Sequence, residues 1–131
     1  VPVFSDHTIQ LNKPYYVAAA VRFARDGAPG VVDFYVKDLG NDDEPLLHAA
    51  VEHALPVGIQ SPFPLTIGGR MSATDARFDG LIDDVRLAHS ALAQGELLYA
   101  TETPLERTVG FWRFEPLPDV FADASGKGLH L

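Results

Sequence analysis

The stretch Phe78–Leu87 places strand-forming apolar residues, interleaved charges and one glycine close together. Phe78, Gly80 and Ile82 share one parity, whereas Val85 and Leu87 share the other. Successive side chains of a strand point to opposite faces, so the apolar face changes side between Ile82 and Val85. We expect a strand over residues 78–88 that either contains a bulge or lies inside a sheet with both faces covered.

Two further runs, Tyr15–Phe23 and Val31–Leu39, alternate in side-chain character and flank a turn-rich segment at 25–30. They predict a β-hairpin, and the first run is apolar on both faces, so we expect it inside a sheet. Residues 46–55 fit a helical stripe and a strand almost equally well. We also expect one or two helical turns over 92–100. Further short strands are expected at 8–11, 65–69 and 108–115, and a last one near Phe121 and 129–131.

The stretch Phe78–Leu87 resembles the closing signature of laminin-G-like, concanavalin-A-like jelly-roll domains. Three other parts of the chain are similar to strands and turns of that family: Val31–Leu39, Leu65–Arg70, and Gly110–Phe114 with Asp123–Gly126. The resemblance implies an all-β fold, a two-sheet antiparallel jelly-roll β-sandwich with one short helix, over residues 1–131 as a single domain. It favours strand for residues 46–55. It says little about function, because such folds host many unrelated roles.

The Trp-x-Phe and Asp-x-Ser-Gly elements usually open a domain of this family, yet here they come last. Residues 109–131 therefore either close this domain in place of its first strand or begin a second module, and we expect the first. A related arrangement occurs in large multidomain bacterial proteins of planctomycete type, so we expect this chain to be a fragment of a longer protein. The expected core comprises Phe34, Ile67, Phe78, Ile82, Val85, Trp112 and Phe114.

Composition narrows the classes of partner. The 131 residues carry a net charge of −8, which argues against nucleic acid and anionic membrane surfaces, since both require Lys and Arg patches. The absence of cysteine excludes disulfides and thiolate metal sites but leaves the compartment open. No apolar run approaches the roughly 20 residues that span a bilayer, so no membrane insertion is expected. We expect an extracellular or periplasmic setting within the longer protein.

Acidic residues suggest a calcium site. Calcium takes oxygen ligands, and many laminin-G-like domains hold the ion between loops. The candidate ligands are Asp79, Asp83, Asp84 and Asp123, with help from the acidic loop 41–44. The competing interpretation is that Asp83 or Asp84 pairs with Arg86 or Arg113, or caps a neighbouring turn.

Aromatic residues suggest a ligand platform. Tyrosine offers a ring and a wet hydroxyl together, so Tyr15, Tyr16 and Tyr35 are candidates for stacking against a sugar. Trp112 alternates with phenylalanine on a strand, which favours a core position. His48 and His53 are badly spaced for a shared zinc site, which favours structural or surface roles.

No catalytic constellation is visible. Jelly-roll glucanases carry Glu-x-Asp-x-Glu strings, and this sequence has none. It also lacks the Gly-x-Ser-x-Gly elbow and the P-loop. We expect a non-catalytic binding or adhesion module, with carbohydrate as the favoured ligand. The alternatives are a structural domain that contacts only neighbouring domains of the parent protein and, third, a jelly-roll glycosidase or lyase.

Overall fold

A computed structural model describes residues 3–56, 64–69, 77–115 and 121–131. In these ranges the chain is all-β, with antiparallel sheets of three and two strands and one short 3₁₀ turn. The predicted all-β class is thus confirmed. The chain divides into two compact units, Val1–Gly58 with Ser90–Thr103 and Ile59–His89 with Pro104–Leu131. The single jelly-roll domain stays a prediction.

The first unit contains a meander of β1 (Tyr15–Arg22), β2 (Gly30–Asp38) and β3 (Leu47–His53), paired antiparallel in that order. The hairpin prediction is confirmed. Its turn places Asp26 at φ 53° and Gly27 at φ 81°, the left-handed conformations that a two-residue Asp-Gly hairpin loop requires. Within the described ranges β1 pairs with β2 alone, so the prediction of an interior strand is wrong there.

Residues 47–53 form a strand rather than a helix, because β2 offers them an antiparallel partner along their whole length. Leu47, Ala49 and Val51 stand opposite Val36, Phe34 and Val32 on one face of the sheet. The opposite face, here called the second face, carries Arg22 of β1, Asp33, Tyr35 and Lys37 of β2, and His48 and Glu52 of β3.

The second face is partly covered by the segment 91–97. Leu97 packs with Ala20 and Tyr35 in a buried cluster, and Leu92 lies against it. The expected helix over 92–100 is only a 3₁₀ turn at Gln94–Glu96. Glu96 still accepts a hydrogen bond from the Ala93 N–H at 3.0 Å. An alanine at the cap position offers no acceptor in return, which explains the short helix.

The second unit pairs β4 (Val85–Ala88) with β5 (Thr108–Trp112). Val85 stands opposite Trp112, and the register shifts between Leu87 and Ala88. Phe111 and Trp112 are each only 2% exposed, so the core position predicted for Trp112 is confirmed.

The predicted strand over 78–88 is wrong before Val85. Asp84 adopts a left-handed conformation with φ 48°, which aspartate tolerates better than most residues. That break ends regular pairing and produces the change of parity seen in the sequence. Phe78 and Ile82 are exposed, by 61% and 37%, so their predicted core positions are also wrong.

Several short elements differ from expectation. Residues 8–11 and 65–69 form no strand; at the second site, Gly69 makes an isolated bridge to Arg77. The expected strand at 108–115 ends at Trp112, and Phe114 follows at φ 53°. No final strand forms at 129–131, where Leu131 N–H donates to the Phe121 carbonyl at 3.1 Å. The other expected core residues are only partly buried: Phe34, Ile67, Val85 and Phe114.

Candidate functional site

A polar cluster crosses the three-stranded sheet on its second face. Arg22 ends β1, Asp33 lies mid-way along β2, and His48 lies near the start of β3. Each strand supplies one member because the register of the sheet places Arg22, Asp33 and His48 on the same face. We call these three side chains the Arg22–Asp33–His48 cluster.

Asp33 is the centre of this cluster. Its Oδ2 lies 2.6 Å from Nη2 of Arg22, and its Oδ1 lies 2.8 Å from Nε2 of His48. The residue is 6% exposed. Burial opposes ionisation of the carboxyl, but the hydrogen bonds from His48 and Arg22 outweigh it and hold the pKa of Asp33 below its usual range. The cluster therefore contains a preorganised buried carboxylate.

The imidazole of His48 is fixed from two directions. It stacks on Tyr35 with ring centroids 4.8 Å apart and planes 20° from parallel. An ionised carboxylate only accepts, so Nε2 carries the proton that it donates to Asp33, and Nδ1 is the acceptor of the neutral ring. The side chain of His48 remains 46% exposed. A half-open, rigidly held imidazole can therefore meet a ligand.

The phenol of Tyr35 stacks against this ring from the neighbouring strand. Burial, followed by the charge of Asp33, raises the pKa of Tyr35 above its usual range. The residue is 8% exposed. Its ring packs against the imidazole of His48, and its hydroxyl stays protonated at neutral pH.

The open part of the same face extends along β3. Ala50 and Glu52 follow His48 at alternate positions, and both are exposed. Glu52 lies in one cross-strand row with Val31 and Arg22. Arg22, whose side chain is 55% exposed, donates, whereas Glu52 accepts. The exposed Ala50 lies between His48 and Glu52 along β3 and carries only a methyl group.

The three candidate tyrosines are not brought together. Tyr15 and Tyr16 are half-buried on opposite faces of β1, and Tyr35 is buried, so its predicted exposure is wrong. The reason is that Leu97 and its neighbours cover this part of the second face. Tyr16 meets Tyr99 with ring centroids 5.6 Å apart. Tyr99, which sequence reasoning missed, is 47% exposed and offers the more open ring.

Among the candidate calcium ligands, Asp123 accepts hydrogen bonds from protein groups with both of its carboxylate oxygens. Its Oδ1 accepts from the N–H groups of Phe111 and Ser125, both at 2.9 Å. Its Oδ2 accepts from the Ser125 hydroxyl at 2.8 Å and from the Leu129 N–H at 3.0 Å. Burial would raise the pKa of Asp123, but these hydrogen bonds outweigh it and place the pKa far below the usual range. This carboxylate organises the turn after β5.

The other acidic candidates form no shared group. Asp84 Oδ1 lies 3.3 Å from Nε of Arg113, which confirms the competing interpretation for this residue. Asp79 and Asp83 are exposed. Across the described ranges, no group of three or more His, Cys, Asp and Glu side chains is placed to hold a metal ion. Calcium binding stays a prediction that this arrangement does not support.

His53 makes its hydrogen bond to the backbone. Nδ1 of His53 accepts a hydrogen bond from the Leu55 N–H at 3.1 Å, and Phe23 contacts the ring edge-on at a centroid distance of 6.5 Å. The two histidines thus have separate roles, as their spacing indicated.

Comparison with known protein families, with curated proteins and with solved structures finds no match for this chain. The laminin-G-like resemblance therefore stays a prediction. None of the described helices is long and apolar enough to cross a membrane. Sequence reasoning missed the Arg22–Asp33–His48 cluster, although one signal was present: Arg22 and Asp33 carry opposite charges at positions of matching parity on the two strands of the hairpin.

Proposed function

We propose that this chain is a non-catalytic binding module whose ligand is a carbohydrate, and that the ligand lies on the open part of the second face. The observation that carries the proposal is the Arg22–Asp33–His48 cluster. A buried carboxylate holds two half-exposed side chains in place from neighbouring strands. Such preorganisation lowers the entropy lost when those side chains bind a ligand.

The chemistry of the surface suits hydroxyl groups. A sugar hydroxyl both donates and accepts, so it binds best where protein donors and acceptors lie side by side. Arg22 supplies donors, Glu52 supplies acceptors, and His48 adds its second ring nitrogen, Nδ1. The exposed ring of Tyr99 is the nearest equivalent in this unit to a stacking platform.

The antiparallel framework is compatible with a jelly-roll sandwich of the laminin-G-like kind. In that interpretation the chain is one binding domain of a larger extracellular or periplasmic protein. Catalysis is not part of the proposal, because the sequence lacks the carboxylate string that jelly-roll glucanases carry on one strand.

One observation favours a structural role instead. Asp33 joins all three strands of its sheet, so the cluster also stabilises the fold without any ligand. In that second candidate function the chain serves only as a domain that contacts its neighbours. The two functions differ in whether the exposed parts of the Arg22 and His48 side chains bind a ligand.

Calorimetric titration with soluble oligosaccharides of glucose, xylose and N-acetylglucosamine tests the proposal. We expect at least one class to bind, and we expect Arg22→Ala and His48→Gln to weaken that binding at least tenfold. The glutamine side chain of the second variant retains a donor toward Asp33, so the sheet should stay folded. Matched controls are Arg25→Ala, which removes the same charge from the turn outside the cluster, and His89→Gln in the other unit.

The proposal fails if no probe binds at millimolar concentration. It also fails if the control variants weaken binding as much as the cluster variants do. Binding that survives Arg22→Ala and His48→Gln unchanged would place the ligand elsewhere.

A further inference from the structure

The outer edge of β1 is an open strand in the part of the chain that the structure describes. β1 pairs with β2 on one side, and no other backbone hydrogen bond joins Val17–Val21 to a described residue. A strand carries outward N–H and C=O groups along such an edge, and these can pair with another strand. Eight residues make β1 longer than the average strand.

This edge lacks the features that normally prevent strand addition. Proteins protect edges with lysine, other inward-pointing charges, proline or bulges. From Tyr15 to Val21 there is none of these: the sequence is Tyr-Tyr-Val-Ala-Ala-Ala-Val, and its pairing with β2 is regular. Val17 and Val21 are 57% and 40% exposed on the apolar face. The edge therefore combines free backbone groups with uncovered β-branched side chains.

The sequence of β1 is complementary to itself in one antiparallel register. A two-fold axis perpendicular to the sheet through Ala19 pairs Ala19 with itself, Ala18 with Ala20, and Val17 with Val21. Both valine pairs then lie on the same face, and cross-strand pairs of β-branched residues stabilise a sheet. The small alanines between them place no bulky side chain at the axis.

We propose that β1 is a self-association edge, through which a second copy of this chain adds its own β1 antiparallel to form a continuous six-stranded sheet. The partner is a second copy because this register places Val17 of each copy opposite Val21 of the other. The charges at the ends are already neutralised within each copy: Lys13 lies 2.9 Å from Asp38, and Arg25 lies 3.2 Å from Asp26. One strand pair is a small interface, so the association is weak and depends on concentration.

Cysteine cross-linking tests the register, because the chain has no cysteine of its own. Residues directly opposite in an antiparallel pair have Cα atoms about 4.5–5.5 Å apart, within disulfide range. With a mild oxidant, Ala19→Cys should form covalent dimers at least tenfold faster than Val17→Cys. The second variant is also exposed, but its cysteine would face Val21 of the second copy.

Sedimentation equilibrium tests the association itself, up to about 1 mM protein. We expect a reversible monomer–dimer equilibrium that the double variant V17K/V21K abolishes, because lysines then face lysines. Mixing that variant with V17E/V21E should restore dimers, which a merely unfolded variant could not do. A wild type that stays monomeric overturns the proposal, as do equal cross-linking rates or dimers that persist in V17K/V21K.

Discussion

The backbone N–H of Phe111 donates to Oδ1 of Asp123 at 2.9 Å and so joins β5 to a turn twelve residues further along the chain. The same carboxylate accepts from Ser125 and Leu129. Trp112, next to Phe111, donates from Nε1 to the Leu129 carbonyl at 2.8 Å. The C-terminal segment is therefore attached to the small sheet by hydrogen bonds to one aspartate and one indole.

Substitution Asp123→Ala should destabilise the second unit by about 2–4 kcal/mol, because it leaves the buried Phe111 N–H without an acceptor. Urea unfolding followed by the fluorescence of Trp112, the only tryptophan of the chain, measures this loss. Asp26→Ala in the hairpin turn is the control for removing an aspartate, and it should leave the Trp112 transition in place. A loss below about 0.5 kcal/mol for Asp123→Ala would contradict this role.

The ionisation of Asp123 should also determine how the stability of the second unit depends on pH. The folded-state pKa of Asp123 is lowered, so its contribution is complete above the unfolded value of about 4. As pH falls from there toward the folded pKa, the unfolded state binds the proton first and stability is lost. Asp123→Asn should flatten this decline of the Trp112 transition below pH 4. An equally steep decline in the variant would show that other carboxyls control it.

Ile82 and Trp112 were both expected in the core from the sequence, but they should contribute very differently to the free energy of unfolding. Ile82→Ala should cost less than about 1 kcal/mol, because the side chain is already 37% exposed. Trp112→Phe should cost more, about 2–3 kcal/mol, since it removes buried ring area and the bond to Leu129. Both are measured by urea unfolding monitored by circular dichroism. A larger loss for Ile82→Ala than for Trp112→Phe would mean that Ile82 is buried after all.

Calcium should not raise the melting temperature. A bound ion stabilises a fold by mass action, but Asp123 already accepts four hydrogen bonds and Asp84 faces Arg113. Melting curves in millimolar calcium and in chelator should therefore coincide. A shift of several degrees, lost on Asp83→Asn, would instead establish the calcium site expected from the sequence.

Local patterns predicted the first unit well. The Asp26-Gly27 turn and the alternation on both sides of it determine the hairpin, and both act over short distances. The pattern of residues 46–55 was ambiguous, and pairing with β2 decided it, which is a non-local effect. Strand propensity failed at Phe78–Asp84, because the left-handed Asp84 ends the pairing. The change of parity in the sequence marks this place, but it does not distinguish a bulge from the end of a strand.

The candidate site was less predictable than the fold. Asp33, Tyr35 and Lys37 share one face of β2, as the alternation of the strand indicates, and all three are buried. Leu97 covers Tyr35, while Arg22 and His48 enclose Asp33. Those contacts join residues 11 to 62 positions apart, so no local pattern contains them.

Chemical-shift mapping tests the central claim most directly, namely that the open part of the second face binds carbohydrate. The ¹⁵N-labelled protein is titrated with oligosaccharides of glucose, xylose and N-acetylglucosamine while the backbone amides and the His48 ring nitrogens are observed. We predict saturable shifts at Arg22, His48, Ala50 and Glu52, with Val17 and Val21 on the other face unchanged. Shifts confined to the valine face, or no shift with any of these probes, would contradict the claim.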